Sequence, residues 1–473
     1  MAASLQTTRR TDPLATSPDD VVVHSGRVLA ITGGVTFLAF LDVTVVNLAF
    51  PNLARSFPRA SVADLSWVIT GYVIPFAALL SPAGRLADGI GRKRLLLIGV
   101  ATFIAASAAC AIAPSVGLLT VARVVQGAGA AVMLPASLGQ VLHETPPEKR
   151  AAAIGVWGAS AGMAAAVGPA LGGLLVDAFN WRSVFLINLP LGLVLLAAAR
   201  RQLRETRDGP RQIPGPLGTV AMVAGIALVV LGVSKGVDWG WMSAAVVGSI
   251  AFGVALSLVA VRRAFGHPVP AIDTSLWRIR TFAAANVTSL LVGASLYAWL
   301  LIGVLYVTSI WHYSELIAGL SVTPPAFTAA VASAVTGRRT GLRGQRIAVV
   351  GGALVLTGVS LWMYATLGAE RQFLELWLPA GLISGAAVGA MLTGLSSAAA
   401  LSVPPECFAA ATGLNLTARQ IGGALGIAGL AVILQSHVPV GIPAFHDVYM
   451  LCAITALVGA LAGLRISERR TVQ

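Results

Sequence analysis

Long apolar runs alternate with short polar segments along almost the whole chain. A helix that crosses a hydrocarbon core of about 30 Å needs roughly 20 mostly apolar residues. Fourteen runs qualify, near 28–49, 65–83, 95–113, 116–141, 151–176, 184–199, 215–234, 242–261, 282–310, 316–336, 347–367, 374–400, 410–434 and 448–464. The pattern therefore predicts an all-α membrane protein with 14 transmembrane helices.

An internal repeat relates the two ends of the chain. The segment TPPEKRAAAIG at 145–155 recurs as VPPECFAAATG at 403–413, which is 258 residues later, with seven of eleven positions identical. The loop GRRTGLRGQR at 337–346 similarly echoes residues 84–94, but it lacks their acid. Parallel repeats related by an axis along the membrane normal are one way in which membrane proteins are built. The repeat therefore predicts two related halves of six helices each.

The predicted domains follow from this repeat and leave one unmatched pair of helices in the middle. The first 26 residues are polar and lack the apolar core of a signal peptide. The expected parts are a disordered cytoplasmic tail (1–26), a six-helix half (27–200), a linker with two extra helices (201–264), a second six-helix half (265–465) and a cytoplasmic tail (466–473).

Basic residues are distributed unevenly among the predicted loops. With a cytoplasmic N-terminus, 25 of the 32 Lys and Arg fall in cytoplasmic segments. Outer loops hold five, namely Arg55, Arg59, Arg182, Lys235 and Arg371. Because cytoplasmic loops carry the excess of Lys and Arg, both termini are predicted to be cytoplasmic in a multi-pass protein of the inner (plasma) membrane.

Composition narrows the possible functions. Only 11% of residues are charged, against about a quarter in soluble domains, and mean hydropathy is +0.83. The formal charge of +13 does not indicate nucleic-acid binding, because the cations lie between apolar runs and not on one face of a soluble module. Three scattered cysteines, with six histidines confined to loops or the tail, predict no disulfide framework and no metal site.

The first span contains an acid within the apolar stretch LDVTVVNLAFP at 41–51. Asp42 is the only acid well inside any predicted span. A charge in hydrocarbon costs roughly 3 kcal/mol or more, which makes a functional role the first hypothesis. A carboxyl group balanced between burial and a nearby cation can take up and release a proton. The alternative is a structural acid that bonds to a neighbouring helix.

The fourth span supplies a cation for this acid. The segment RVVQGAGAA at 123–131 places Arg123 and Gln126 one turn apart on one helical face. With a rise of 1.5 Å per residue, Asp42 and Arg123 both lie roughly 10 Å from the outer ends of their spans. They can therefore pair directly, or through Gln126 or a water molecule. Helix packing alone is the weaker interpretation of Arg123, because an unpaired guanidinium is costly there.

The fifth span carries the segment GASAGMAAAVGPALGG at 158–173. Small residues spaced by four let helices approach closely, and a proline removes one backbone donor and loosens the helix. Composition alone predicts only tight packing, whereas the ordered G-x9-G-P-x2-G-G pattern is more specific. The pattern consists of Gly158, Gly168, Pro169, Gly172 and Gly173, and Gly162 is a further glycine within it.

Other polar and aromatic groups in the spans are candidates for lining a substrate cavity. The asparagines can line a cavity or form interhelical hydrogen bonds, and the sequence leaves both open. The aromatic residues can form a wall for a flat apolar ligand. The candidates are Asn47, Trp67, Tyr72, Trp157, Asn188, Asn286, Trp299 and Asn415.

The loop GRLADGIGRKR at 84–94 joins the second and third spans with one acid and four cations. It resembles the conserved loop between the second and third helices of the major facilitator superfamily. The segments at 41–51, 158–173 and 181–192 (WRSVFLINLPLG) resemble signatures of the fourteen-helix drug:proton antiporter branch of that superfamily. The resemblance covers nearly the whole chain and implies the major facilitator fold.

The resemblance also implies an activity, namely proton-coupled export of drugs or antibiotics across the inner membrane by alternating access. Asp42 would carry the proton, Arg123 would modulate it, and the fifth span would be a hinge that limits leak. The conformational latch would consist of Gly84, Asp88, Gly91 and Arg92. The expected partners are an amphipathic substrate, protons and the bilayer, with no cofactor beyond the proton gradient and a monomeric protein. No further membrane acid is visible, which argues for a neutral, zwitterionic or singly charged substrate.

The latch also has a physical argument. Asp88 and the N-terminus of the thirteenth span, near Ala410, are both predicted at the cytoplasmic surface. A helix N-terminus carries about half a positive charge and favours an anion. Asp88 docked there would tie the two halves together on the inside.

Three other functions are considered. The same fold can export lipids or lipid-like metabolites. A membrane-embedded enzyme needs a cluster of His, Asp or Ser near one surface, and the sequence offers none. A transport-dead sensor is expected to lose Asp42 or the latch, and both are present. Since no phosphate-binding G-x4-G-K-[ST] loop occurs, ATP is not the expected energy source.

Overall fold

The computed structural model describes residues 18–207, 213–265, 267, 270, 273–338, 341–437 and 441–467. All regular elements in these ranges are helical, as the apolar runs predict. They are α1 (Pro18–Leu48), α2 (Phe50–Ser56), α3 (Val62–Ile90), α4 (Arg92–Ala111), α5 (Val116–Glu144), α6 (Arg150–Ala178), α7 (Ser183–Leu186), α8 (Asn188–Gln202), α9 (Pro216–Trp239), α10 (Ala244–Ala264), α11 (Arg280–Ser309), α12 (Glu315–Ser321), α13 (Thr323–Gly337), α14 (Gly341–Thr366), α15 (Leu378–Ala400), α16 (Phe408–Ser436) and α17 (Ile442–Gly463).

Fourteen helical stretches of the described chain are long and apolar enough to span a membrane, which confirms the predicted number. Most are single helices. The sixth combines α7 with α8, the tenth combines α12 with α13, and α2 is too short to count. Polar caps start several of them, as at α3, where the Ser61 hydroxyl accepts from the Asp64 amide at 3.1 Å and the Asp64 carboxylate accepts from the Ser61 amide at 2.9 Å.

The first helix begins earlier than the predicted end of the N-terminal tail. Helix α1 begins at Pro18, so residues 18–26, which the sequence assigned to the disordered tail, are helical. A proline in the first turn followed by Asp19 and Asp20 suits a helix start, since acids favour the N-terminal end of the helix dipole. Residues 1–17 and 468–473 of the two predicted tails lie outside the described residues.

Two pairs of helices bring the two halves together. Helix α3 packs against α16, and α6 packs against α13. A Cβ added to Gly84 would lie 2.2 Å from the carbonyl oxygen of Ala409, and one added to Gly337 would lie 2.7 Å from that of Ala151. Because Ala151 and Ala409 are 258 residues apart, the period of the sequence repeat, the two contacts are equivalent. Backbones touch at both interfaces, where only glycine fits.

Replacing Gly84 with Ala is expected to lower the melting temperature, because a backbone carbonyl cannot move aside as a flexible side chain can. The matched control is Gly358→Ala in α14, where an added Cβ meets nothing within 4 Å and alanine is favoured in a helix by about 1 kcal/mol. The purified control should therefore melt at or above the wild-type temperature. Equal melting of the two variants would contradict the close approach of α3 and α16.

Buried apolar residues form three clusters in the described chain. The largest fills the end of the bundle that contains residues 84–94, hereafter the loop end, and draws on both halves, for example Leu96 and Phe408. At the opposite or far end, one cluster belongs to the first half, around Leu53, and another to the second half, around Tyr306. The halves therefore share one core at the loop end and have separate cores at the far end.

The extra helices α9 and α10 pack against each other, and α9 also contacts α3 and α16. The sequence placed Lys235 in an outer loop, but α9 extends to Trp239 and Lys235 is 1% exposed. Its ammonium group donates to the Ser66 hydroxyl at 2.7 Å and to the Asp238 carboxylate at 2.9 Å, and lies 4.6 Å from the Trp67 ring centre. These contacts compensate the buried charge and fasten α9 to α3.

Candidate functional site

Asp42 is fully buried in α1 and receives three hydrogen bonds from two other helices. Its Oδ2 accepts from Arg123 Nη1 on α5 at 2.6 Å. Its Oδ1 accepts from Gln126 Nε2 on α5 and from Asn188 Nδ2 on α8, each at 2.8 Å. All three donors bond to Asp42, so this acid is the centre of a polar cluster that links α1, α5 and α8.

Arg123 is held on several sides. Its Nη1 also donates to Gln126 Oε1 at 2.7 Å, and its Nε donates to the Val68 carbonyl of α3 at 3.1 Å. The guanidinium carbon lies 4.3 Å from the centre of the Tyr72 ring, which adds a cation–π contact. Because Val68 and Tyr72 belong to α3, Arg123 connects the acid on α1 to that helix.

Ser107 on α4 completes the cluster. Its hydroxyl accepts from Gln126 Nε2 at 2.7 Å and from Asn188 Nδ2 at 3.3 Å. An ion pair inside a membrane is tolerated only when its remaining hydrogen-bonding capacity is satisfied. Gln126, Asn188 and Ser107 provide that capacity, so the pair of Asp42 and Arg123 is embedded in a hydrogen-bonded cluster.

The sequence anticipated some of this geometry. Asp42 and Arg123 pair directly, and Gln126 hydrogen-bonds to both of them. The direct pair and the link through Gln126, which the sequence offered as alternatives, therefore occur together. Asn188, a candidate for lining a cavity, instead makes the interhelical hydrogen bonds that were its other interpretation, and it is fully buried. Ser107 was missed, because a single hydroxyl in an apolar run of small residues gives no distinguishing signal.

Asp88 is 5% exposed and joins the two halves at the loop end. Its Oδ2 accepts from the amide of Ala410 at 2.8 Å and its Oδ1 from the amide of Ala409 at 3.3 Å. Both amides lie in the first turn of α16, where the helix dipole favours an anion. Asp88 therefore binds to the start of α16 near Ala410, as the sequence predicted.

Arg92 stabilises this contact from the other side. Its Nη2 donates to Asp88 Oδ1 at 2.7 Å and to the Pro405 carbonyl at 2.8 Å, while Nε donates to the same Oδ1 at 3.0 Å. Pro405 belongs to the second copy of the repeated segment. One arginine therefore bonds both to the acid of the first half and to the backbone of the second.

Gly91 shapes the turn between α3 and α4. Its φ is +121°, a conformation that favours glycine, and a Cβ there would lie 2.6 Å from the Glu205 carboxylate. That carboxylate accepts from the backbone amides of Lys93 at 3.1 Å and Arg94 at 3.0 Å. Glu205 therefore caps the start of α4. Sequence reasoning missed it because Glu205 is 111 residues from the amide of Arg94.

The glycines predicted to form a hinge mediate close contacts of α6 with other helices. A Cβ on Gly168 would lie 1.9 Å from Thr44 Oγ1 of α1, and one on Gly162 would lie 3.0 Å from Ala330 of α13. A Cβ on Gly158 would lie 3.3 Å from Thr393 Oγ1 of α15. The helix continues through the remaining members of the motif, which are Pro169, Gly172 and Gly173.

The other predicted cavity residues occupy different environments. Asn415 donates to the Ser289 hydroxyl at 2.8 Å, so it too bridges helices. Asn286 donates to the Phe282 carbonyl of its own helix at 2.8 Å. Asn47 lies in α1, and its side chain is outside the described residues.

The four aromatic candidates are also dispersed. Trp157 is 3% exposed and its Nε1 donates to Ser137 at 3.0 Å. The ring centre of Trp67 lies 4.6 Å from the Lys235 ammonium group, and Trp299 packs edge-on against Tyr449 with ring centres 5.0 Å apart. Tyr72 is buried, stacked on Phe76, and its hydroxyl has no hydrogen-bond partner within the described ranges.

Fourteen spans in two repeat-related halves, with a buried acid–cation cluster in one half and an acidic loop docked on the other, define a multi-pass membrane protein. A family model described as Major Facilitator Superfamily matches residues 32–301. The chain belongs to the major facilitator superfamily, whose members are transporters and not enzymes.

Curated relatives and a solved structure agree with this assignment. The chain is 33% identical over 412 residues to "Multidrug resistance protein Stp" of Mycobacterium tuberculosis, covering 86% of this chain and 75% of that protein. It is 33% identical over 406 residues to "Methylenomycin A resistance protein" of Streptomyces coelicolor, covering 84% and 83%. The crystal structure of the human organic anion transporter MFSD10 (TETRAN) shares the fold, with a TM-score of 0.68 and 17% identity over 94% of this chain and 99% of that one.

Proposed function

We propose that this protein is a proton-coupled antiporter that exports amphipathic small molecules across the inner membrane by alternating access. The observation that carries the proposal is the direct ion pair between Asp42 and Arg123 inside the first half. Both relatives described above are named for drug or antibiotic resistance, which supports drugs or antibiotics as the substrates. The proton gradient supplies the energy, the protein acts as a monomer, and both termini are cytoplasmic.

Protonation of Asp42 changes the bonding of Arg123. The charged carboxylate holds the guanidinium at 2.6 Å, and the neutral acid attracts it far less in a medium of low dielectric constant. Arg123 is then retained by Gln126 of its own helix and by the Val68 carbonyl and the Tyr72 ring, which both belong to α3. The proton therefore changes the position of α3 relative to α1.

Helix α3 transmits this change to the loop end. Asp88 lies 20 residues after Val68 on the same helix, or roughly 30 Å along its axis. A shift of α3 alters the contact of Asp88 with the amides of α16, and hence the closure of the two halves. A coupling free energy of about 1–3 kcal/mol between the two sites is sufficient for this purpose.

The proposal is tested with the purified full chain in liposomes that contain a pH-sensitive dye. Cationic dyes and neutral antibiotics are added in turn, and a panel member that is transported should evoke proton movement across the membrane. An imposed pH gradient should drive its accumulation, and a protonophore should abolish that accumulation. Substrate movement without proton movement would contradict antiport and favour a facilitator or an exporter of lipid-like metabolites.

A further inference from the structure

Arg419 is a buried cation of the second half to which the mechanism above gives no role. It lies in α16 and is 9% exposed, roughly 17 Å along the helix from its first residue. That depth is close to the middle of a hydrocarbon core of about 30 Å. No carboxylate in the part of the chain that the structure describes forms an ion pair with its guanidinium, and no described group there hydrogen-bonds to it. Because such a charge is costly in a membrane, a partner is expected.

A hydrogen-bonded pair of polar side chains lies beside this cation in the second half. The hydroxyl of Tyr297 on α11 donates to the side-chain oxygen of Gln420, the residue that follows Arg419. A Cβ added to Gly423 would lie 2.6 Å from the Tyr297 ring, so the ring is confined against α16. Arg419 therefore lies in a preformed polar cluster and not among apolar side chains alone.

The same cluster faces the first half. Two contacts give the alignment of α3 with α16. A Cβ added to Gly413 would lie 2.3 Å from the Leu80 carbonyl oxygen, and the Thr417 hydroxyl lies 3.5 Å from the Ala77 carbonyl. One further turn of these antiparallel helices brings Tyr72 level with the residues around Arg419.

We propose that Arg419 binds the carboxylate of an amphipathic organic anion, with the hydroxyl of Tyr72 as a second donor. A guanidinium offers two parallel N–H groups that match a carboxylate, and the Tyr72 hydroxyl is buried without a partner among the described residues. Half-buried apolar side chains close to these residues in sequence, namely Val73, Ile421 and Trp299, would provide contacts for the apolar part of the ligand. This inference rests on the proposed export function and specifies its substrate class.

The position of Tyr72 connects this site to the proton site. One face of its ring carries Arg123, which pairs with Asp42, while its hydroxyl, buried without a partner among the described residues, would donate to the ligand. A bound anion that engages Tyr72 therefore acts on the residue that holds Arg123. Substrate and proton affect one another through a single aromatic side chain.

Equilibrium binding to the purified full chain in detergent tests the proposal. The probes are three aromatic acids and their uncharged amides, based on naphthalene-1-acetic acid, indole-3-acetic acid and 4-phenylbutyric acid. Each pair has the same apolar body and differs in charge. Isothermal titration calorimetry should show the acids binding about 10- to 100-fold more tightly than the amides, the range expected for hydrogen bonds between charged groups.

Single substitutions identify the residues that produce the preference for the acids over the amides. Arg419→Gln should abolish the preference for the acids, Arg419→Lys should retain part of it, and Tyr72→Phe should weaken acid binding several-fold without changing amide binding. Arg371→Gln, which removes an exposed cation, is the matched control and should leave the preference intact. If Arg419→Gln does not fold, the Lys and Phe variants still test the site.

The inference is overturned if no acid binds wild type more tightly than its amide, or if folded Arg419→Gln keeps the full preference. With that variant unfolded, unchanged acid binding by both Arg419→Lys and Tyr72→Phe overturns it. Because calorimetry requires neither transport nor a proton gradient, failure here leaves the antiport proposal intact. Conversely, a loss of proton flux in liposomes does not affect the result of the binding experiment.

Discussion

Replacing Asp42 with Asn is expected to abolish substrate-evoked proton flux in liposomes and to lower the melting temperature. The amide cannot carry the proton, so coupling is lost outright. It also leaves Arg123 buried without a counter-charge, and removing one partner of a buried ion pair costs about 3–5 kcal/mol. Proton flux and thermal melting of the purified variant measure the two effects separately.

A second variant distinguishes lost coupling from misfolding. In Asp42→Asn combined with Arg123→Gln, no unpaired charge remains, so the melting temperature should recover towards that of the wild type while proton flux stays at background. With Arg123→Gln as the second single variant, the free energies of unfolding of the wild type, both single variants and the double variant give the interaction energy of the pair. Proton flux that persists in the folded double variant would place coupling elsewhere in the protein.

Replacing Asp88 with Asn is expected to shift the protein from the state closed at the loop end towards one open there. The change removes the charge that docks on the first turn of α16 and leaves Arg92, which is fully buried, without its carboxylate. A free-energy change of about 1–3 kcal/mol corresponds to a 5- to 150-fold change in the ratio of the two states. Accessibility of single cysteines introduced at the loop end, read with a membrane-impermeant thiol reagent, measures the shift.

Glu406→Gln is the matched control for this experiment. Glu406 is an exposed acid one residue after Pro405, whose carbonyl Arg92 contacts, so it reports on a general loss of negative charge at the same surface. Its cysteine accessibility should match the wild type. If Asp88→Asn and Glu406→Gln give the same accessibility, Asp88 has no specific role in closing the loop end.

Much of the fold and part of the site could be predicted from the sequence, and the reason is the membrane. A bilayer requires each span to be apolar and of nearly fixed length, so 14 spans are visible as 14 runs. It also makes an intramembrane acid such as Asp42 conspicuous, and the depth of each residue follows from its position along a helix. The pairing of Asp42 with Arg123 is accordingly the best-predicted contact of the site.

The remaining contacts depend on how helices rotate and pack, which one sequence does not encode locally. Asn188 and Ser107 reach Asp42 only because α8 and α4 turn the appropriate faces inward. Glu205 caps α4 from a segment more than a hundred residues away. Lys235 was assigned to a loop because a cation at the end of an apolar run resembles a loop residue, whereas Ser66, Asp238 and Trp67 allow it to remain inside.

The two equivalent helix interfaces at the loop end are not equally closed. Gly84 and Gly337 occupy equivalent positions against Ala409 and Ala151, so the position that corresponds to Asp88 is Gly341. Among the described residues, the interface of α3 with α16 therefore has an ionic contact with no counterpart in the interface of α6 with α13. When the loop end opens, we expect the contact between α6 and α13 to separate before the contact between α3 and α16, which Asp88 holds. A substrate dissolved in the adjacent leaflet would then enter laterally between α6 and α13, and not between α3 and α16.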